Sequence, residues 1–374
     1  MAKTKLALIC GGKSVEHEVS LISAKNVIEA LDFAKYELLL LAVAKDGSFR
    51  YYKDYHNFLD NADNPDQVAL KDSGFSPLAW LANDKHGQIV LLDEPGKFLE
   101  IEVVFPIMHG SFAEDGKMQG FLEMMNLPYV GPDVLASSIS MDKEVTKKLT
   151  GQVGIKVAKY LTYRQADAAQ IDFNFIKTEL GLPVFIKPAN SGSSVGINRA
   201  QDEQSFQQAV EQAFQVDQKI LIEEAIVGRE IECSVLGNAG DLQAGEVGEI
   251  IPSSKHGFYS YDAKYIDADG AALLIPAPME ASKKLEVQEL SKQIFSVLNC
   301  EGMARVDFFL TEKGEVVFNE INTIPGFTKI SMYPKLMMAE TGMSYAVLID
   351  RLIELALARY SRNSLILFEK KMVE

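Results

Sequence analysis

The sequence predicts an α/β protein of several domains, and three observations carry that prediction. At 374 residues the chain is too long for one ordinary core, so two or three domains are expected. Its start reads as a strand, a glycine turn and a helix, the opening of an α/β unit. Near its end, residues 304–326 (ARVDFFLTEKGEVVFNEINTIPG) read as two short strands around a glycine turn.

Composition narrows the partners. With 47% hydrophobic and 24% charged residues the chain has an ordinary globular make-up. A formal charge of −15 argues against a nucleic-acid or anionic-membrane surface. An anionic ligand must then be held by local Lys, Arg and backbone N–H groups. The three cysteines, Cys10, Cys233 and Cys300, are far apart and predict buried free thiols in a reducing compartment. The N-terminus shows no cleavable signal, and the longest apolar run, residues 38–44, is far short of the ~20 residues a membrane span needs. A cytoplasmic location is expected.

In chain order, residues 5–10 form the first strand and break at Gly11-Gly12. A helix follows from about His17, with Leu21, Ala24, Ile28 and Leu31 as its buried stripe. No GxGxxG is present, so no dinucleotide site is read here. Glu16 stands where the strand ends of an open α/β sheet gather ligands, although locally a helix-start glutamate most simply complements the helix dipole. Residues 45–96 are rich in Asp, Asn, Gly and Tyr with weak periodicity, and read as an irregular insertion. Strand signal resumes at residues 101–108, followed by His109-Gly110, an acidic loop, a helix over 117–126, and a close of the first domain at residues 127–132.

A second unit begins near Ala136. One helix is expected from about Met141 to Gly154, with Lys143 in its first turn. A strand at residues 183–187 ends in Lys187, then comes ANSGSSVG at 189–196 and another strand. Small side chains and unpaired N–H groups suit that loop to covering phosphates, though it lacks the GxxxxGK[ST] of a Walker loop. Lys187 on an apolar strand needs an anionic partner. A helix over 203–214 leads to a strand at 219–224 and the connector Ala225-Ile226-Val227-Gly228-Arg229-Glu230, whose backbone groups suit an adenine edge, with Glu223 accepting from the amino group. A strand at 230–236 follows. Residues 245–270 read as a long polar loop carrying Tyr259, Tyr261, Lys264 and Tyr265, a candidate lid.

The final hairpin carries the chemistry. Alternation places Arg305 with Asp307 and Glu320 with Asn322 on common faces. If Lys313 and Gly314 are the two turn residues, Asp307 faces Glu320 and Arg305 faces Asn322. Facing carboxylates need compensation, and Mg²⁺, which prefers oxygen ligands and phosphates, would supply it.

The motifs GGKSVEHEVS, HGSFAEDGKMQG, SMDK, FIKPANSGSSVG, EEAIVGREIE, YDAKY, RVDFF and NEINTIPGFTKISMYP run from Gly11 to Pro334. Together they resemble the D-alanine:D-alanine ligases of the ATP-grasp superfamily. The resemblance implies a three-domain ATP-grasp fold, α/β (α+β), with an N-terminal parallel-sheet α/β domain over 1–135. Central and C-terminal ATP-grasp subdomains would cover 136–227 and 228–364, the latter bearing the lid at 245–270, with a tail at 365–374. It implies ATP and two D-alanines as substrates: one carboxylate attacks the γ-phosphate, and the second amine then attacks the acyl phosphate.

By the same resemblance Asp307, Glu320 and Asn322 would hold two Mg²⁺ or Mn²⁺ ions. Lys143, Lys187 and Lys264 would contact phosphates. Glu223 and the Ile226 backbone would read adenine, beside Glu224, and Glu230 would hold the ribose. Glu16 would bind the first ammonium, Ser331 and the Met332 N–H the second carboxylate, and His109 would touch the acyl phosphate. Arg305 and the Gly326 N–H would form the oxyanion hole. Glu16, Ser193 and Tyr265 would link three domains, and tyrosine at 265 favours an amine over a hydroxyl nucleophile. A homodimer is implied. Two other readings are another carboxylate–amine (or D-alanine:D-lactate) ligase and an inactive ATP-binding regulator, the latter disfavoured because Arg305, Asp307, Glu320 and Asn322 are all present.

Overall fold

The computed structural model describes residues 2–82, 87–252 and 271–365. Its first sheet grows from the apolar strands β1 (Thr4–Gly11) and β2 (Tyr36–Val43), which pair in parallel with helix α1 (His17–Ala30) between them. Further along the chain come β3 (Phe49–Tyr52), β4 (Leu59–Asp60), β5 (Ala69–Leu70), β6 (Phe75–Leu81), β7 (Gln88–Leu91) and β8 (Phe98–Glu100). Strand β9 (Val103–Pro106) lies parallel to β1 on its other side. The seven-stranded order is β8-β7-β6-β3-β2-β1-β9.

Residues 45–96 are therefore not an irregular insertion. They supply an antiparallel extension of the sheet, with β4 and β5 as a separate two-stranded ribbon. Most of its side chains are half-buried, so the hydrophobic alternation that marks a one-sided strand is blurred. Helix α2 (Lys117–Met124) then packs on this unit.

The expected single helix near Met141 is two: α3 (Val134–Met141) and α4 (Lys143–Gln152). Asp142 separates them, its side chain accepting from the N–H groups of Glu144 and Val145, so an N-cap divides a continuous helical pattern. Strand β10 (Tyr160–Arg164), a 3₁₀ turn, α5 (Phe173–Leu180), β11 (Val184–Pro188), β12 (Asn198–Ala200), α6 (Glu203–Val216) and β13 (Lys219–Glu224) follow. Their antiparallel sheet runs β10-β13-β11-β12.

The last sheet, β16-β15-β14-β17-β18, is built from β14 (Gly228–Asn238), β15 (Asp241–Pro252), β16 (Ala271–Leu274), β17 (Gly302–Thr311) and β18 (Val316–Asn322). Helices α7 (Ala281–Val297), α8 (Met332–Thr341) and α9 (Tyr345–Asn363) are the last three among the described residues. The first residues of the expected 245–270 loop thus belong to β15, while Tyr259, Tyr261, Lys264 and Tyr265 lie outside the described residues. The three cysteines are free and buried, as expected.

The hairpin register is as expected, with Asp307 opposite Glu320 and Arg305 opposite Asn322, but the route to it differs. The loop is three residues, closed by Thr311 N–H to Glu315 O at 3.0 Å, and a bulge leaves Asn319 unpaired before Glu320. The longer loop shifts the register by one and the bulge shifts it back.

Two cores fasten the sheets together. Val130, Ile324, Phe327, Tyr333 and the buried face of α9 join the core beneath β1 and β2. Ala136 and Ile155, around α3 and α4, pack into the core of the last sheet.

Candidate active site

The site lies where these sheets converge. On β17, Ala304, Val306 and Phe308 face the core, which turns Arg305 and Asp307 the other way. Arg305 Nε and Nη2 each lie 2.8 Å from one oxygen of Asp307, and Nε lies 2.9 Å from Glu232 of β14. Asn322 Nδ2 donates to Asp307 Oδ2 at 2.9 Å. Glu320 sits 3.8 Å from Lys143 Nζ. Protein cations therefore already compensate these carboxylates in part. The donor set nonetheless fits a hard cation: two carboxylates and an amide oxygen on adjoining strands. Among the described residues no three His, Cys, Asp or Glu side chains group as metal ligands, so Asn322 would be the third protein donor.

Facing this strand pair is a buried network on β11, β13 and α4. Glu223 accepts Lys187 Nζ at 2.8 Å and Lys147 Nζ lies 3.3 Å away. Burial alone would raise the Glu223 carboxyl, but the two ammoniums outweigh it and hold it at about 2. Lys187 also donates to Asn319 Oδ1 at 3.3 Å, so the bulge residue ties the central sheet to the last one. Lys143 Nζ donates to Ser191 O at 2.6 Å, pinning the glycine- and serine-rich loop.

Three expected nucleotide residues lie on β13, on β14 and in the connector between them. Glu230 is half-buried on β14, opposite Phe309, on the same face as Glu232 and Asp307. Ile226 lies in the connector between β13 and β14. Glu224 Oε1 accepts the Lys159 N–H at 2.7 Å, so its side chain is turned to a neighbouring segment.

On the substrate side, Glu16 makes no side-chain cap for α1. Its carboxylate instead accepts Ser193 Oγ–H from the glycine-rich loop, a contact between the first sheet and the central one. Ser193 and Ser194 hold left-handed φ values of 50° and 60°, which turn that loop toward Glu16. Gly110 has φ 70°, and a Cβ there would come 2.1 Å from Glu16 Oε2. His109 is buried, with Nδ1 2.8 Å from Ile324 O and Nε2 3.1 Å from Ser23 Oγ. Burial lowers its imidazole to about 4. Ser331 Oγ accepts the Thr328 N–H at 2.9 Å, and Met332 opens α8 behind it. A Cβ on Gly326 would come 2.7 Å from Ser331 Oγ.

Sequence reading missed four residues here. Glu232 shares the parity of Glu230, and Lys147 lies one helical turn beyond Lys143, so both had a periodic signal. Asn319 is visible only once the bulge is known. Glu114 joins the loop after His109 to the last sheet, a relationship no local pattern reveals.

The chain matches the family descriptions "D-ala D-ala ligase N-terminus" over residues 5–132 and "D-ala D-ala ligase C-terminus" over residues 149–354. It is 50% identical to a D-alanine–D-alanine ligase of Oceanobacillus iheyensis, over 96% of this chain and 97% of that one. It is 46% identical to a D-alanine–D-alanine ligase A of Salmonella typhimurium, over 97% and 98% respectively. Among solved structures, the D-alanine–D-alanine ligase of Coxiella burnetii superposes with a TM-score of 0.85 at 35% identity, covering 97% of each chain. The VanG D-Ala:D-Ser ligase of Enterococcus faecalis superposes with a TM-score of 0.81 at 34% identity, over 95% of this chain and 100% of that one.

Proposed function

We infer the chemistry of this site from one premise: the chain belongs to the D-alanine–D-alanine ligase family and has its ATP-grasp fold. It is a ligase that joins two D-alanines to D-alanyl-D-alanine for cell-wall synthesis. ATP is the energy source, and the reaction runs through a D-alanyl phosphate, releasing ADP and phosphate.

The observation that best supports this reading is the pairing of Arg305 with Asp307 opposite Glu320 and Asn322, across from Lys143 and Lys187. Asp307, Glu320 and Asn322 would hold Mg²⁺ or Mn²⁺. Such ions neutralise charge on the phosphates during transfer. Lys143, Lys187 and, from the lid, Lys264 bind phosphate, while Glu223, Glu224 and Ile226 line the adenine end and Glu230 the ribose. Glu16 binds the first ammonium, and Ser331 with the Met332 N–H the second carboxylate. Arg305 and the Gly326 N–H stabilise the oxyanion as the amine attacks. Ser193 and Tyr265 close the lid over Glu16. Domains at 1–135, 136–227 and 228–364, a homodimer and a cytoplasmic location complete the proposal. No helix among the described residues is long and apolar enough to cross a membrane.

The test is phosphate release from ATP with D-alanine, with L-alanine as control and dipeptide identified by mass. Release that ignores D-alanine would end the reading. The likeness to a D-Ala:D-Ser ligase makes the second substrate the specific question, so D-serine and D-lactate belong in the same assay.

A further inference from the structure

Pro325 and Gly326 are suspended between two anchored residues. Ile324 N–H donates to Glu114 Oε1 at 2.8 Å, and Ile324 O lies 2.8 Å from His109 Nδ1. On the far side, Phe327 N–H donates to Ser23 Oγ at 3.2 Å. Phe327 O accepts Asn26 Nδ2 at 3.2 Å and the Tyr345 hydroxyl at 2.8 Å. Four of these five gripping side chains come from the N-terminal sheet unit, on α1 or on the loop after β9.

We propose that Glu114 is a positioning residue for the ligation step: by gripping the Ile324 peptide from the N-terminal unit, it fixes the direction of the Gly326 N–H. The proposal rests on the reading that this N–H stabilises the oxyanion.

A peptide held at both its N–H and its preceding C=O, or a residue held at both polar atoms, cannot rotate freely. Pro325 adds a fixed φ. With Ile324 and Phe327 both fixed, the Gly326 amide between them has little room to reorient. Oxyanion donors contribute in proportion to how well they are placed before charge develops. Glu114 Oε2 also accepts the Gly110 N–H at 2.8 Å, which holds the carboxylate itself in place with Oε1 toward Ile324.

The location is an expensive one for a carboxylate. Burial raises the Glu114 carboxyl, and the Glu16 carboxylate raises it further, against its two N–H donors and Arg305. An acid kept in such a place is better explained by the geometry it imposes than by stability.

The test uses the full-length protein carrying Glu114→Gln, which keeps size but offers one acceptor oxygen for two N–H donors. Dipeptide formation is measured beside positional isotope exchange in ATP, which reports formation of the acyl phosphate alone. The expected result is a fall in dipeptide kcat of about 10- to 100-fold, with isotope exchange, the KM for ATP and the thermal midpoint close to wild type. Ser23→Ala, which removes the other anchor, should show the same selective loss and decides the matter if Glu114→Gln does not fold. Loss of both steps together, or of neither, overturns the proposal. Absence of D-alanine-dependent ligation in the wild type would instead remove the functional reading beneath it.

Discussion

Arg305 holds Asp307, two positions along the same strand, by a two-pronged pair in which Nε and Nη2 each reach a different oxygen at 2.8 Å. A forked guanidinium suits a carboxylate in a way a lysine cannot, because both bonds form in one plane. The arrangement keeps the acidic cluster compensated before any ligand arrives, and it joins the proposed metal ligand to the proposed oxyanion donor.

Asp307→Asn is accordingly expected to weaken the site on both counts. Half-saturation by Mg²⁺ in the turnover assay should rise about tenfold or more, as one of the two carboxylates loses its charge. An unchanged Mg²⁺ dependence would show that Asp307 is not a ligand.

Glu223→Gln removes the counter-charge from buried Lys147 and partly buried Lys187 at once. Breaking a buried pair from one side costs about 3–5 kcal/mol, and here Lys147 is among the most deeply buried cations, 2% exposed. Urea denaturation should report a loss of that order, and preference for ATP over GTP should narrow. A variant as stable as the parent would mean that Lys147 and Lys187 do not depend on Glu223.

Gly110→Ala would place a methyl 2.1 Å from Glu16 Oε2 and 2.6 Å from Ser14 Oγ, at a left-handed φ of 70°. Glu16 must move, so the KM for the first D-alanine should rise about tenfold or more while the KM for ATP stays put. Equal rises in both would point to general collapse of the loop rather than displacement of Glu16.

His109 gives the pH dependence. Burial lowers its imidazole from 6.5 to about 4, so the folded state keeps it neutral where the unfolded chain takes up a proton. Its contribution to stability is complete above about pH 6.5 and is lost as the pH falls toward 4, amounting to about 3 kcal/mol. Urea midpoints of the parent and of His109→Gln should therefore converge as pH falls through that window. Parallel curves would refute the linkage.

Much of the site was readable along the chain because strands keep a period of two. Once residues 305–322 are a hairpin, Arg305, Asp307, Glu320 and Asn322 must gather on one face whatever else the protein does. That parity survived a wrong turn length, since the three-residue loop and the bulge at Asn319 offset each other. Residues 45–96 show no period for the converse reason: short strands with half-buried side chains carry too little contrast between their faces.

From the order of its residues alone came the strand faces, the lysines that would meet phosphate and the motifs that name the family. Folding in three dimensions decided which distant groups touch: Ser193 on Glu16, Glu232 beside Arg305, and Glu114 on Ile324, 210 positions away. Periodicity is a property of neighbours along a strand or helix, whereas those contacts exist only because separate cores pack the sheets against one another.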